Sequence, residues 1–277
     1  MNATVFWGLA SALTWGVGDF CGGLATRRTS VWTVVLYSQA VGMGLLLLLA
    51  FAFQEAFPQT TDLAWGAAAG LAGIIGLTAL YQAMALGQMA LVAPLTAVIA
   101  LSIPVIIGIV TEGWPAALTL IGFVLAALSV MLISYTPQRR ATPSSLWIAL
   151  VAGCGFGGFF VLIAQPQGGA VFWPLVAARA TSVVVLIILM FFQKRSTLPL
   201  ARPAILPILL AGIFDAGGNG CFVLAEQAGR LDIASTLSSL YPMSTVFLAL
   251  LLLRERISVV QGTGVLLALV AIPLIAG

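Results

Sequence analysis

Apolar stretches long enough to cross a bilayer follow one another along this chain almost without a break. A membrane-crossing helix needs about 20 mostly apolar residues. Charged and proline-rich punctuation leaves ten such segments, roughly 4–26, 32–53, 63–86, 90–110, 116–135, 145–164, 171–192, 204–227, 233–253 and 258–276. Runs such as LLLLLAFAF (45–53) do not alternate, which speaks against β-barrel strands. Only 7% of the 277 residues are charged and 61% are hydrophobic, whereas soluble domains average about 25% charged. The predicted fold class is therefore an all-α integral membrane protein with ten transmembrane helices. The connections are a few residues each and leave no room for a soluble domain, so the activity is expected within the bilayer. The opening MNATVFWG lacks a basic region and runs into an apolar stretch too long for a cleaved leader, so it reads as the start of the first span.

Several kinds of chemistry are excluded by what the residues do not offer. There is no histidine, which removes the usual proton shuttle and the commonest metal ligand. Cys21, Cys154 and Cys221 stand apart inside apolar segments with no CxxC, and read as small packing residues. Neither a GxxxxGK[ST] phosphate loop nor an HExxH zinc motif occurs. No cofactor, metal or direct ATP use is expected, and an intramembrane enzyme fits poorly. The net charge of +3 rests on loop arginines, which points to topology rather than to nucleic acid.

The ten segments divide into two similar fives. Trp7, Ala12, Gly18 and Phe20 recur as Trp147, Ala152, Gly158 and Phe160. ALYQAMALG (79–87) lies over CFVLAEQAG (221–229), and LIGFVLAALSVMLI (120–133) over GTGVLLALVAIPLI (262–275). Small-residue matches are cheap in membrane helices, but here they agree at shifts of 140 to 142 residues across the chain. An odd number of spans per half makes the halves insert in opposite senses. Such inverted repeats are the signature of transporters, with the substrate site expected at the midplane between the halves. The halves are read as 1–138 and 139–277.

Trp15-Gly16 in the first helix, Ala83 and Ala225 in the third and eighth, Pro242 in the ninth, and Gly122 and Gly264 in the last helix of each half form an ordered set. The set resembles the EamA-type transporters of the drug/metabolite transporter superfamily, over essentially the whole chain. The family's Gly-Glu at the ends of helices four and nine is Thr111-Glu112 and Arg254-Glu255 here, with Glu kept and Gly lost. The resemblance implies two inverted five-helix repeats, a small organic metabolite as substrate, and commonly export.

Arg27, Arg28, Arg139, Arg140, Lys194, Arg195, Arg202, Arg254 and Arg256 fall in odd-numbered loops, and only Arg230 in an even one. The positive-inside rule then puts odd loops in the cytoplasm and both termini outside, opposite to many members of the resembled family. A bacterial inner membrane is the expected location. Gly18–Gly22, Gly66–Gly70 and Gly153–Gly157 have GxxxG spacing, which is common by chance in a glycine-rich chain. No dimer interface is read from it, and a monomer is expected.

Ionisable residues inside a span cost roughly 2.5–3.5 kcal/mol on insertion scales and usually face a cavity or a partner. Asp19, Arg179, Asp215 and, near an interface, Glu226 are the candidates. At the α-helical rise, Asp215 lies about 16 Å from the odd-loop side and Arg179 about 12 Å from the opposite side, nearly the same depth. GIFDAGGNG (212–220) sets Asp215 and Asn219 among four glycines; packing explains the glycines, and a ligand explains the polar pair better. Asp19 and Gln39 lie at similar depth in helices one and two, and Gln39 is the repeat counterpart of Arg179. Two polar layers are thus expected, Asp19 with Gln39 and Arg179 with Asp215. Trp15, Tyr81, Phe156 and Tyr241 are expected to line the cavity, since Trp and Tyr offer an apolar face and a polar tip. Pro94, Pro104 and Pro242 are expected to kink helices four and nine.

The expected function is alternating-access transport of an amino-acid-like solute. Arg179, Asp215, Asn219, Trp15, Tyr81 and Tyr241 would bind it, and Asp19, Gln39 and Pro242 would couple or gate. The alternative is proton-coupled efflux of hydrophobic cations, and a channel fits less well.

Overall fold

A computed structural model describes residues 2–86, 88–135, 143–194, 202–254 and 257–277, with backbone alone for 81, 84, 85, 89 and 90. Arg139, Arg140, Arg195, Glu255, Arg256 and the boundary at 138/139 lie outside the described residues. The structure is all helical: α1 (Ala3–Thr26), α2 (Val31–Ala52), α3 (Thr60–Ala85), α4 (Met89–Glu112), α5 (Ala117–Ile133), α6 (Pro143–Ile163), α7 (Phe172–Phe192), α8 (Arg202–Gln227), α9 (Leu231–Ser238), α10 (Tyr241–Leu252) and α11 (Val259–Ala276). Eight of the resulting rods are long and apolar enough to cross a membrane, counting Leu231–Leu252 as one. At 17 residues α5 is shorter. The 24-residue α1 is diluted by Ser11, Thr14, Asp19 and its glycines, yet it packs against α8 along its length.

Neither Pro94 nor Pro104 interrupts α4. The ninth span does break, into α9 and α10, with Pro242 in the first turn of α10. Proline suits that position because the first N–H groups of a helix have no intrahelical acceptor.

The pairing of helices obeys an exchange of the two halves. α1 packs on α8 as α6 packs on α3; α2 on α8 as α7 on α3; α1 on α9 and α10 as α6 on α4. Two pairs are their own images, α2 with α7 and α5 with α11, so a pseudo-two-fold axis runs through both. Individual contacts repeat as well. A Cβ on Gly70 would lie 2.1 Å from the Ala178 carbonyl oxygen, and one on Gly212 2.5 Å from that of Ser38. Gly122 is packed against Ile275 just as Gly264 is against Ile133. Missing side chains at these crossings let backbones approach closely, which is how helices associate where lipid removes the hydrophobic drive.

Candidate functional site

The α2–α7 crossing brings Arg179 to the pseudo-two-fold axis, where it meets its own counterpart, Gln39. Arg179 Nη1 donates to Gln39 Oε1 at 2.5 Å. Nη2 lies 2.6 Å from Asp215 Oδ2 on α8, without the alignment of a hydrogen bond. Gly42 lets α2 approach α8 here, since a Cβ on it would stand 3.1 Å from the Gly212 carbonyl oxygen and 3.2 Å from the Ala216 Cβ. The arginine side chain is 8% exposed and the Asp215 side chain 42%, so the cation is buried and the carboxylate opens onto solvent-accessible space.

Helix α1 closes the other flank. A Cβ on Gly18 would lie 3.1 Å from the Asp215 amide nitrogen, and Trp15 Nε1 donates to the Asp215 carbonyl at 3.2 Å. The Trp15 indole lies over Gly218, where a Cβ would come within 2.4 Å of the ring. Two of the four glycines around Asp215 are thereby accounted for: Gly212 admits α2 and Gly218 admits Trp15. A Cβ on Gly217 or Gly220 would meet nothing within 4 Å. Asn219, one turn beyond Asp215, is buried.

Asp19 is exposed and lies within electrostatic reach of both Asp215 and Tyr241. Among the described residues it has no hydrogen-bond or ion-pair partner. The expected pairing of Asp19 with Gln39 does not form, because α2 crosses α7 and α8 and barely touches α1. Among the described residues there is one polar layer rather than two: Arg179 contacts both Gln39 and Asp215, with Asp19 beside them.

Tyr241 stands edge-on to Trp15, ring centroids 6.3 Å apart. Phe160 and Phe222 complete the cluster around Trp15 at 5.6 Å and 6.1 Å. Sequence reading missed these two, since a phenylalanine among so many apolar residues carries no signal of its own. Phe156 packs over Gly76 instead. The Tyr81 side chain lies outside those described.

A second polar cluster joins the halves at the even-numbered loops. Glu55, between α2 and α3, accepts from the amides of Val171, Phe172 and Trp173 at the N-terminus of α7. A carboxylate suits that place, where unpaired N–H groups and the helix dipole favour negative charge. Arg230, between α8 and α9, pairs with Asp232 at 2.6 Å, reaches Glu112 at 3.9 Å and donates to the carbonyls of Glu112 and Gly113. Its hydrogen bond to Asp232 pushes the guanidinium above its ordinary pKa. Glu112 Oε1 in turn accepts from the Leu231 amide at the start of α9, at 3.1 Å. Glu226 stands within electrostatic reach of Glu112. The sequence did mark Arg230, as the one basic residue in an even loop.

A profile of the EamA-like transporter family matches residues 2–135 and 143–277. No curated protein matches the chain. A crystal structure of a protein superposes with a TM-score of 0.80 over 98% of this chain and 95% of its own, at 12% sequence identity, a likeness of fold.

Proposed function

The chain belongs to the EamA-like transporter family, and from that premise we propose that it carries a small amino-acid-like solute, by alternating access and in the direction of export. Membership makes it a multi-pass membrane transporter with a small-molecule substrate. The finer reading rests on one observation: a buried arginine on the pseudo-two-fold axis shares a half-exposed aspartate with open space. The solute's ammonium would take the open side of Asp215 and Asp19. Its carboxylate would take Arg179 as Asp215 turns towards the ammonium. Trp15 and Tyr241 would form the apolar wall, with Asn219 behind them and Gln39 holding the arginine in place. Pro242, at the break between α9 and α10, supplies the hinge. Odd loops are assigned to the cytoplasm by their positive charge, in an inner membrane, with both termini outside.

A second reading, efflux of organic cations, has its own support. Arg179 is already engaged by Gln39 and Asp215, while Asp19 has no ion-pair partner among the described residues. That leaves negative charge as the site's unused capacity. Thermal-shift titration of the purified protein separates the two, because ligands of the folded state raise its stability. Free amino acids that stabilise where their methyl esters do not would support the zwitterion. Esters and quaternary amines stabilising alone would support the cation. If Arg179→Gln and Asp215→Asn leave the affinity of every stabilising solute unchanged, the assignment of the site fails.

A further inference from the structure

The two ends of the pathway are not built alike, although the repeat makes them equivalent in outline. Along α1, one face of the helix runs through Val5, Gly8, Ala12, Trp15, Asp19 and Gly23. Val5, Ala12 and Trp15 are 3%, 4% and 9% exposed, whereas Asp19 and Gly23 are exposed and a Cβ on Gly23 would meet nothing within 4 Å. The repeat counterpart of Gly23 is Ile163, 1% exposed at the opposite end of the bundle. The ninth span shows the same step. Nearly all of α9 is buried, towards the even loops, and α10, towards the odd loops, has no buried residue. Leu101, Pro104 and Gly108 of α4, the counterparts of α10 positions, are buried. Among the described residues, α1 and the ninth span are thus more buried towards the even loops than towards the odd ones, although the ends of α1, α2 and α8 at the odd loops still pack on one another.

The contacts that close the even side cross from one half to the other. Glu55 and Glu112 belong to the first half, and each caps the start of a second-half helix, α7 and α9. Arg230 of the second half holds the end of α4. Gln54 and Lys194 share a left-handed backbone, at φ 50° each, which fixes the register of the two equivalent turns. The counterpart of Glu55 is then Arg195, outside the described residues; an arginine has no acceptor with which to cap a helix start. Arg230 and Asp232 correspond in sequence to Gln88 and Ala90. At the odd loops Arg28 donates to the Pro203 carbonyl, an exposed bond.

We infer that Glu55 and the Arg230 cluster form a latch across the even loops that makes the even-closed, odd-open conformation the resting state of the transporter. In the orientation proposed above, the empty carrier waits open to the cytoplasm, as an exporter must to load. Transport then requires the substrate to supply what releases the latch. A ligand shifts such an equilibrium only by its difference in affinity for the two states.

Distances between paired spin labels in liposomes test this in a cysteine-free background. One pair, at Gln59 and Gln167, reports on the even loops; the other, at Leu86 and Leu252, on the odd ends of α3 and α10. Without substrate, the even pair should give one short distance and the odd pair a long one. Glu55→Gln and Arg230→Gln should each raise the even-open population about tenfold, the odd pair shortening in step. A resting protein found mostly even-open would overturn the inference. So would unchanged distributions in variants that elute as single species and keep their unfolding temperature. If both variants fail to fold, the unsubstituted distributions alone decide. The result does not depend on which solute is carried.

Discussion

Removing either member of the Arg179–Asp215 pair should destabilise the protein, and by unequal amounts. Asp215→Asn strands a guanidinium whose side chain is 8% exposed, and removing one partner of a buried pair costs about 3–5 kcal/mol. Gln39 still accepts from Nη1 and the new amide oxygen can accept from Nη2, so the low end, about 3 kcal/mol, is expected. Arg179→Gln strands a carboxylate that is 42% exposed. Water meets most of its need, and the loss should be about 1 kcal/mol, as for pairs near solvent. The double variant leaves neutral amides that can hydrogen-bond one another and Gln39, and should fall within about 1 kcal/mol of the parent. The cycle would then show a coupling of about 3–5 kcal/mol, at or above the top of the range for contacting residues. Denaturant titration in micelles, followed by tryptophan fluorescence, measures all four proteins under one condition. A loss for Asp215→Asn no greater than for Arg179→Gln, or additivity within about 0.5 kcal/mol, would refute the claim that the buried charge belongs to the arginine.

Glycines of the eighth span should separate by what their missing side chains admit. Gly212→Ala puts a methyl 2.5 Å from the Ser38 carbonyl oxygen and should cost about 1–3 kcal/mol as overpacking, whereas Gly217→Ala meets nothing within 4 Å and should gain up to about 1 kcal/mol from helix propensity; unfolding midpoints compare them directly. Trp15→Phe keeps an aromatic ring and loses the hydrogen bond to the Asp215 carbonyl, so unfolding should become easier by about 1 kcal/mol, with weaker quenching of any fluorescent substrate analogue bound at the site. Reporter fusions at Gly277 should be active as periplasmic phosphatase and silent as cytoplasmic fluorescent protein; the reverse pattern would invert the orientation read from the loop arginines.

Fold was legible because the bilayer allows few solutions. Ten apolar segments, a repeat at shifts of 140 to 142 residues and the Trp15-Gly16, Gly122 and Gly264 motifs lead to the same architecture from different directions. The depth of Arg179 and Asp215 was legible too, since helix rise converts position into height. Azimuth was not. Sequence spacing says how high Gln39 lies but not which neighbour it faces, and the crossing of α2 with α7 gave it to Arg179 rather than to Asp19. The break between α9 and α10 was half visible in Pro242, while Pro94 and Pro104 lie inside an unbroken α4. Proline marks where a helix can yield, and packing decides whether it does. Glu55 carried no mark at all, because capping another helix depends on a fold that local sequence cannot show.

A residue on a two-fold axis faces its own image, and that constrains which charges a duplicated scaffold can hold there. Two arginines at positions 39 and 179 would repel at close range, and two glutamines would bring no charge. The pair Gln39 and Arg179 avoids the repulsion, but it leaves one cation in the centre of a membrane protein, which demands a counter-ion. Either copy of the neighbouring position could supply it. Only one does: Asp215 stands opposite Arg179, and its counterpart Gly73 sits against Phe159, where a Cβ would lie 3.5 Å from the ring. Phe159 is itself the counterpart of Asp19. Two equivalent contacts flank the axis, and one is carboxylate beside carboxylate while the other is glycine beneath phenylalanine. An inverted repeat supplies symmetric motion, but a solute with a charged end needs an asymmetric site. Here the pairs beside the axis carry that asymmetry, which puts charge on one side of the site and an apolar contact on the other. Replacing Gly73 with Asp should therefore not create a second site: a Cβ there would stand in ordinary contact with Phe159, 3.5 Å from the ring, and its repeat-related partner position is the neutral Gln39, so binding stoichiometry should not rise.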